Sequence, residues 1–158
     1  MHSLADHSYF MEMAIKLAQK ASSLNEVPVG AVVVSDDAPS SIIVSEAFNN
    51  RESQSNPLGH AELLAIDKAS KKLGRWRLSG CTLYVTLEPC LMCAGAIILS
   101  RVDRVVYGAK DPKAGAVSSL YQTLSDQRLN HRPEVISGIR EEECSKLLKD
   151  FFKSMRAT

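Results

Sequence analysis

The segment Thr86-Leu87-Glu88-Pro89-Cys90-Leu91-Met92-Cys93 contains two cysteines three positions apart, directly behind a proline. Proline fits the first position of a helix, because its backbone angle is already helical and its missing N–H would have had no partner there. We therefore predict a helix that opens at Pro89 and runs towards Ser100. Residues three apart lie on the same face of a helix, so both sulfurs can reach one metal ion.

A second motif, His60-Ala61-Glu62, lies upstream at the start of another predicted helix, His60 to Leu73. One imidazole and two thiolates form a ligand set that suits zinc. Three protein ligands leave one coordination position open for water, which is typical of a catalytic zinc, whereas a structural zinc normally has four protein ligands. Glu62 stands close to the first ligand and is better placed as a proton-transferring base. We predict a catalytic zinc site with His60, Cys90 and Cys93 as ligands.

The C-x-x-C pair by itself is a weak signal, because it is common in structural zinc sites and in redox sites. A redox disulfide would need a thioredoxin-like context, and it gives His60 and Glu62 no role. A structural zinc site stays open as the alternative, although such a site has no need of Glu62.

The chain as a whole has an ordinary composition: its 158 residues are 45% hydrophobic and 23% charged, with a net charge of +1. This length predicts a single domain over residues 1–158. The charge balance gives no global signal for nucleic acid, so any RNA contact must come from a local patch. Residues 1–11 contain no apolar core of the kind that a signal peptide needs, and no apolar run approaches membrane-spanning length. We expect a cytoplasmic protein without membrane contact, in which Cys81 and Cys144 are buried rather than paired in a disulfide.

The hydrophobic pattern predicts an α/β fold, with a mixed sheet covered by helices on both faces. A first helix is expected from Ser8 to Leu24, and the β-branched run within Pro28–Ser35 predicts a buried strand. Turn residues over Asp36–Ser41 lead to a second strand, so the two strands form a hairpin. The other predicted elements are strands at Leu83–Thr86, Arg104–Gly108 and Glu134–Ser137, a short helix near Leu120–Leu124, and a closing helix from Glu141 to about Arg156.

The whole chain resembles the bacterial tRNA-specific adenosine deaminases, a family within the cytidine deaminase-like fold. The resemblance rests on the H-x-E and P-C-x-x-C motifs, which are the signature of zinc-dependent nucleobase deaminases, and on segments spread along the chain. These segments are Glu26–Val32, Leu83–Cys90, Met92–Ala96, Ser100–Arg101, Gly108–Asp111, Ser119–Leu120, Asn130–Arg132 and Phe151–Phe152. The match is weakest at the two ends and over Ser35–Ile42.

The resemblance implies a five-stranded sheet with helices on both faces in three layers, a homodimer, and one zinc ion per subunit. It implies hydrolytic deamination of adenosine to inosine at the wobble position of a tRNA anticodon. In this reaction a zinc-activated hydroxide attacks C6 while Glu62 carries protons. A splayed loop base can reach the metal, whereas a base in a stem cannot.

The resemblance also assigns substrate contacts to particular residues. They are Asn49, whose amide can pair with a donor and an acceptor of a purine edge, together with Ala61, Pro89, Asp111 and Phe151. Taken alone, Asn49 and Asp111 are ordinary turn residues and Phe151 is a core residue. Further RNA contacts are expected at Lys110, Lys113, His131, Arg132, Lys149 and Lys153.

The closing helix carries a pattern that supports RNA binding independently of the family. Lys146, Lys149, Lys153 and Arg156 follow each other at steps of three, four and three, so they form one stripe on a helix. Apolar residues, namely Leu147, Leu148, Phe151, Phe152 and Met155, are expected on the opposite face, against the sheet. A solvated surface helix would show the same pattern.

Two other functions remain open at this point. The nearer one is a deaminase of a free nucleobase or nucleoside, such as guanine or cytosine, which would use the same zinc chemistry. The more distant one is a non-catalytic RNA-binding subunit with a structural zinc.

Overall fold

The computed structural model describes residues 2–37 and 39–157 and shows an α/β architecture around one mixed five-stranded sheet. The predicted fold class is therefore confirmed. Met1, Ala38 and Thr158 lie outside the described residues, so the predicted turn over Asp36–Ser41 is described only in part.

The elements follow one another in the order α1, β1, β2, α2, β3, α3, β4, β5 and α4. The strands are β1 (Gly30–Ser35), β2 (Ile42–Phe48), β3 (Cys81–Leu87), β4 (Arg104–Ala109) and β5 (Glu134–Ile136). The helices are α1 (Leu4–Ser23), α2 (Ala61–Leu73), α3 (Leu91–Ser100) and α4 (Glu141–Arg156), with a 3-10 turn at Thr123–Ser125 between β4 and β5.

The strands lie in the sheet in the order β2-β1-β3-β4-β5. Strand β1 pairs antiparallel with both β2 and β3, whereas β3, β4 and β5 run parallel. The carboxyl ends of β2, β3 and β4 and the amino end of β1 therefore meet at one edge of the sheet. In α/β proteins the loops at such an edge form the usual binding crevice.

Helices cover both faces of this sheet, as the three-layer prediction requires. Alternate residues of β1 belong to different cores: Val32 and Val34 pack with α1 and α4, while Ala31 and Val33 pack with α2 and α3. Both faces are apolar because the strand is buried on both sides, which explains its continuous β-branched sequence. Cys81 and Cys144 are both buried, as expected.

Four predicted helices differ from the structure at their boundaries, among them α2, which begins at Ala61 with His60 in the capping position. Helix α1 begins at Leu4, not Ser8, because Ser3 and Asp6 form a reciprocal capping box that starts the helix earlier. The helix after Pro89 begins at Leu91, with Cys90 in the capping position. The short helix expected near Leu120–Leu124 is the 3-10 turn at Thr123–Ser125.

Helix α4 differs from the prediction in how much of its apolar face is covered. Phe151 is buried, and Leu147 and Leu148 are partly buried against the cores. Phe152 and Met155 are 44% and 51% exposed, so they do not pack on the sheet. No helix within the described part of the chain is long and apolar enough to cross a membrane.

Candidate active site

Three side chains with metal-ligating atoms converge at the shared edge of the sheet. The ligand atoms of His60, Cys90 and Cys93 all lie within 4.8 Å of one another. The Nδ1 atom of His60 is 3.6 Å from the sulfur of Cys90 and 3.5 Å from the sulfur of Cys93. The chain thus brings together the three ligands that the motif spacing predicts.

The helix starts explain this convergence. His60 and Cys90 both occupy the capping position before a helix, with extended backbone angles. Within the described part of the chain, neither side chain makes the usual capping hydrogen bond to its helix. Both are therefore free to point at a common centre, and Cys93 joins them from the first turn of α3. Helices α2 and α3 pack against each other on the same face of the sheet.

Hydrogen bonds among His60, Cys90 and Cys93 shift the pKa values of all three side chains. A hydrogen bond with Cys93, followed by one with His60, lowers the pKa of Cys90, while the bond with Cys90 and burial raise the pKa of Cys93. The hydrogen bond with Cys90 raises the pKa of His60. Cys90 therefore releases its proton more readily than Cys93. A bound divalent cation would deprotonate both, because a thiol that coordinates a metal is deprotonated outright.

Glu62 lies in the first turn of α2 and is almost completely buried. Burial raises the pKa of this carboxyl to about 7, against the opposing effects of its own backbone N–H and of His60. A group with such a pKa can both accept and release a proton at neutral pH.

A cavity of about 160 Å³ opens directly beside the cluster. Its walls come from the loops at the shared sheet edge: Val27, Val29, Asn49, Arg51, His60, Ala61, Glu62, Leu87, Glu88, Cys90, Asp111 and Ala114. This volume is small beside the roughly 300–1,000 Å³ of sites for drug-sized ligands. It suits one flat ring rather than a whole nucleotide.

Asn49 is a buried wall residue of this cavity, at the end of β2. Its Nδ2 donates to the carbonyl of Val27 at 3.3 Å, and its Oδ1 accepts from the backbone N–H of Arg51 at 3.3 Å. Each of these atoms retains one further hydrogen-bonding position. The neighbouring Asn50 is not part of the cavity wall and packs against Gly59.

The cavity shares part of its wall with a larger groove of about 770 Å³. The shared residues are Val27, Arg51, Leu87, Asp111 and Ala114. Five cationic side chains line the groove, namely Arg51, Lys110, Lys113, Lys149 and Arg156, against the one carboxylate of Asp111. We refer to this groove as the basic groove. Asp111 also accepts hydrogen bonds from the backbone of Lys113 and Ala114, so it shapes the turn as well as the wall.

Other predicted site residues lie elsewhere. Phe151 is buried beside residues of α1, whereas its neighbour Phe152 lines the basic groove. Lys153 is exposed but is not part of the groove wall. His131 donates or accepts at the carbonyl of Val102, before β4, and Arg132 donates to the carbonyl of Leu129. Both therefore lie towards the amino end of β4, away from the cluster.

The two residues beside the ligands contribute differently to the site. Ala61 is a buried wall residue of the cavity. Pro89 is buried, and its carbonyl accepts the backbone N–H of Ala116.

Sequence reasoning missed two buried carboxylates that hold the loops around the cavity. Glu26 accepts the backbone N–H groups of Glu52 and Ser53, and Glu88 accepts those of four residues between Asp111 and Ser119. Burial would raise the pKa of Glu88, but the bonds from Ser118, Ser119 and Asp111 outweigh burial and lower it to about 2. The sequence gives a signal for Glu88, which directly follows the buried strand β3, a costly position for an unpaired charge.

The site consists of a buried carboxyl beside a histidine and two cysteines, at the loop edge of a three-layer α/β fold. A family model of MafB19-like deaminases matches residues 5–156, so the chain belongs to this class of deaminases.

Similar proteins identify the family of this chain within the class of deaminases. A tRNA-specific adenosine deaminase of Bacillus subtilis is 52% identical over 147 residues, which cover 93% of this chain and 89% of that protein. One of Haemophilus influenzae is 49% identical over 92% of this chain and 83% of its own length. A solved structure from a study of tRNA:A34 deaminases, which edit A to I at the wobble position, matches with a TM-score of 0.82. It is 42% identical, over 89% of this chain and 99% of that one. The chain belongs to the family of tRNA-specific adenosine deaminases.

Proposed function

We propose that this protein converts adenosine to inosine at the wobble position of a tRNA anticodon. The observation that carries the proposal is the shared wall between the small cavity and the basic groove. Enzymes that act on a base of a nucleic acid take the base into a closely fitting pocket, while its backbone stays outside. The cavity has room for one base, and the cations of the groove match the phosphates that flank it.

We propose zinc as the cofactor, one ion per subunit. One imidazole and two sulfurs within 4.8 Å of one another are a donor set that zinc favours. Zinc held by His60, Cys90 and Cys93 would supply the Lewis acidity that makes a water molecule nucleophilic at neutral pH.

In this proposal Glu62 carries the protons of the reaction. It takes a proton from the attacking water and delivers it to N1 of adenine, as a bond forms between the water oxygen and C6. Glu62 then takes the remaining proton from the new hydroxyl on C6 and delivers it to the amino group, which leaves C6 as ammonia while the C6–O bond becomes a carbonyl. Water is consumed and ammonia released, so adenosine becomes inosine without any oxidant or reductant. The buried position and raised pKa of Glu62 suit a group that must both accept and donate.

Asn49 and the loop residues orient the base. The free positions on both amide atoms of Asn49 allow it to donate to one purine nitrogen and to accept from another group. Ala61 forms part of the cavity wall, and Pro89 holds the neighbouring loop through its carbonyl. Asp111 lies where the cavity meets the groove. Phosphate contacts come from the basic groove, to which Lys110, Lys113 and Lys149 belong.

We further propose that two copies of this chain associate through α3. Almost every residue of this helix is apolar, yet Leu91 and Leu99 are 50% and 71% exposed. Gly95 lies between them on the same face, and a methyl group there would contact nothing within the described residues. A glycine inside a helix costs about 0.5–1 kcal/mol relative to alanine, and close approach of a second helix would account for it. We place this enzyme, a single domain, in the cytoplasm with its tRNA substrate.

The test is incubation of the protein with total tRNA, followed by mapping of inosine by sequencing. We expect inosine at the wobble position and at no other adenosine of the anticodon loop. Efficient deamination of free guanine or cytosine, with none on tRNA, would replace this function by that of a nucleobase deaminase. Tight tRNA binding without any deamination would favour a non-catalytic subunit.

A further inference from the structure

A buried carboxylate that plays no part in the proton transfers has an unusually complete set of partners. The side chain of Glu88 is almost fully buried. Its Oε2 accepts the backbone N–H groups of Val117, Ser118 and Ser119 at 3.1, 2.8 and 3.0 Å. Its Oε1 accepts the N–H of Asp111 at 3.1 Å and the hydroxyl of Ser119 at 2.5 Å.

These five donors all belong to one segment, residues 111–119, which we call the recognition loop. Only an ionised carboxylate can accept so many bonds, because it has two oxygens and no donor of its own. A glutamine would direct its NH₂ group at N–H groups that also donate. The loop also approaches Glu88 too closely for a side chain at Gly115, where a methyl group would clash with the carboxylate.

The recognition loop forms part of both substrate surfaces. Asp111 and Ala114 line the cavity beside the cluster, and Pro112 and Lys113 line the basic groove. Loops are ordinarily the most mobile parts of a fold, so such a surface needs an anchor if it is to hold RNA in one geometry.

The same short stretch that anchors the loop also carries a metal ligand. Glu88 stands two residues before Cys90, and its backbone N–H donates to the carbonyl of Ala109 at 2.8 Å. The carbonyl of Pro89, between them, accepts the N–H of Ala116 at 2.8 Å. The loop is therefore fixed to the segment that sets the position of the cluster, and the distance between the two is determined by a few bonds.

We propose that Glu88 is a positioning residue, which fixes the recognition loop relative to the metal-binding helix α3 and so aligns bound RNA with the reacting centre. The inference rests on the proposed function, because it takes RNA as the substrate that the loop contacts. Both carboxylate oxygens of Glu88 are occupied by the loop, so the residue acts on bound RNA through the loop.

The experiment compares Glu88→Gln with the wild-type protein loaded with zinc, using kinetics on tRNA and amide hydrogen exchange. We expect faster exchange at the amides of Val117, Ser118 and Ser119, unchanged exchange in β1 and β3, and an unchanged zinc content. Misplacement of a substrate by about 1 Å can reduce the rate about 10²-fold, so we expect kcat/KM to fall about 10- to 100-fold. Much of this fall should appear as a lowered kcat, because RNA can still bind to the basic groove when it is misaligned with the cluster. Glu134→Gln is the matched control, because Glu134 is an exposed glutamate paired with Arg104 away from the loop.

A milder variant keeps the test decisive if Glu88→Gln does not fold. Ser119→Ala removes only one of the bonds to Glu88, so we expect a smaller fall in kcat/KM, of about 2- to 10-fold. Unchanged loop exchange in both variants, or faster loop exchange with unchanged kcat/KM, would overturn the inference. Faster exchange spread evenly over the sheet would also overturn it. If the wild-type protein formed no inosine on tRNA, the proposed function would fail, while the exchange data would still decide whether Glu88 anchors the loop.

Discussion

The Nδ1 atom of His60 lies 3.5 Å from the sulfur of Cys93, although 33 positions separate the two residues in the chain. The proximity follows from topology. The loop after β2 and the end of β3 meet at the same sheet edge, and each leads into a helix whose first residues face the other. Two short motifs thereby become one cluster.

The first prediction is that each chain binds one zinc ion through one nitrogen, two sulfurs and one exchangeable oxygen. Metal analysis gives the stoichiometry, and X-ray absorption gives the ligands. Cys93→Ser should lose the metal, whereas Cys144→Ala should keep it, because Cys144 is a buried cysteine of the other core. A spectrum with three sulfurs, or with four protein ligands in the resting protein, would contradict a catalytic site.

The second prediction concerns Glu62→Gln, which should keep the fold and the zinc but lose nearly all turnover. Removal of a general acid–base typically costs about 10²–10⁴-fold in rate, and Glu62 moves more than one proton, so the loss should lie at the upper end. Inosine formation under single-turnover conditions measures it. Glu142→Gln, an exposed glutamate of α4, should behave as the wild type. A variant of Glu62 that retained zinc and most of its activity would reduce this residue to a structural role.

Much of the fold could be predicted from the sequence, because it depends on local signals. The β-branched run of β1 indicated a strand buried on both faces, and the pairing of the two motifs indicated the cluster. Helix boundaries were less predictable: the start of α1 depends on the side-chain contact between Ser3 and Asp6. The exposure of Phe152 depends on which parts of the chain pack around α4, which no local pattern encodes.

The walls of the site were still harder to predict. Arg51 and Glu88 reach the cavity only because loops that are distant in sequence meet at one sheet edge. A single glutamate beside a strand gives no indication of which backbone it will bind. The motif residues were recognisable because metal binding needs particular side chains at particular spacings, whereas a loop anchor needs only a carboxylate in the right place.

The third prediction is an acid-dependent loss of stability through Glu26, which holds the loop that follows Asn49. Burial acts to raise the pKa of Glu26, but the bonds from Ser53 and Glu52 outweigh burial, so the pKa is lower than the ordinary 4.5. The folded state therefore binds fewer protons than the unfolded state. The stabilisation is fully present above the unfolded pKa and is lost as the pH falls through the lower folded pKa.

Thermal unfolding of wild type and Glu26→Gln between pH 3 and pH 7 measures this contribution. Hydrogen bonds to a charged group are worth about 1.5–3 kcal/mol, so the variant should be less stable at pH 7 by about that amount. The difference between the two proteins should shrink as the pH falls below the ordinary value of 4.5. A constant difference across this range would show that the charge of Glu26 is not what holds the loop.

The fourth prediction is that Leu99→Lys weakens a homodimer without unfolding the protein. Leu99 is 71% exposed on α3, so a charge there costs little in one chain but must be desolvated when two apolar helices meet. Sedimentation over a range of concentrations measures the association. Leu4→Lys is the control, because Leu4 is an equally exposed leucine at the start of α1. An active wild-type monomer at assay concentrations would remove the dimer from the proposal.

The last prediction separates the lysines of α4 by their place in the structure. Lys149 lines the basic groove, Lys153 does not, and Lys146 is paired with Asp150 at 2.5 Å. Each lost phosphate contact flattens the dependence of log affinity on log salt by roughly one unit. Lys149→Gln should therefore weaken tRNA binding and reduce the salt slope by about that amount. Adding Lys153→Gln to this variant should change the affinity and the slope little further.

Lys146→Gln is the control and should leave both the affinity and the salt slope unchanged. All three variants should melt near the wild-type temperature, because exposed charges contribute about 0–1 kcal/mol to stability. An unaltered affinity and slope in Lys149→Gln would assign Lys149 to solvent and would leave the phosphate contacts to the other cations of the groove, Arg51, Lys110, Lys113 and Arg156.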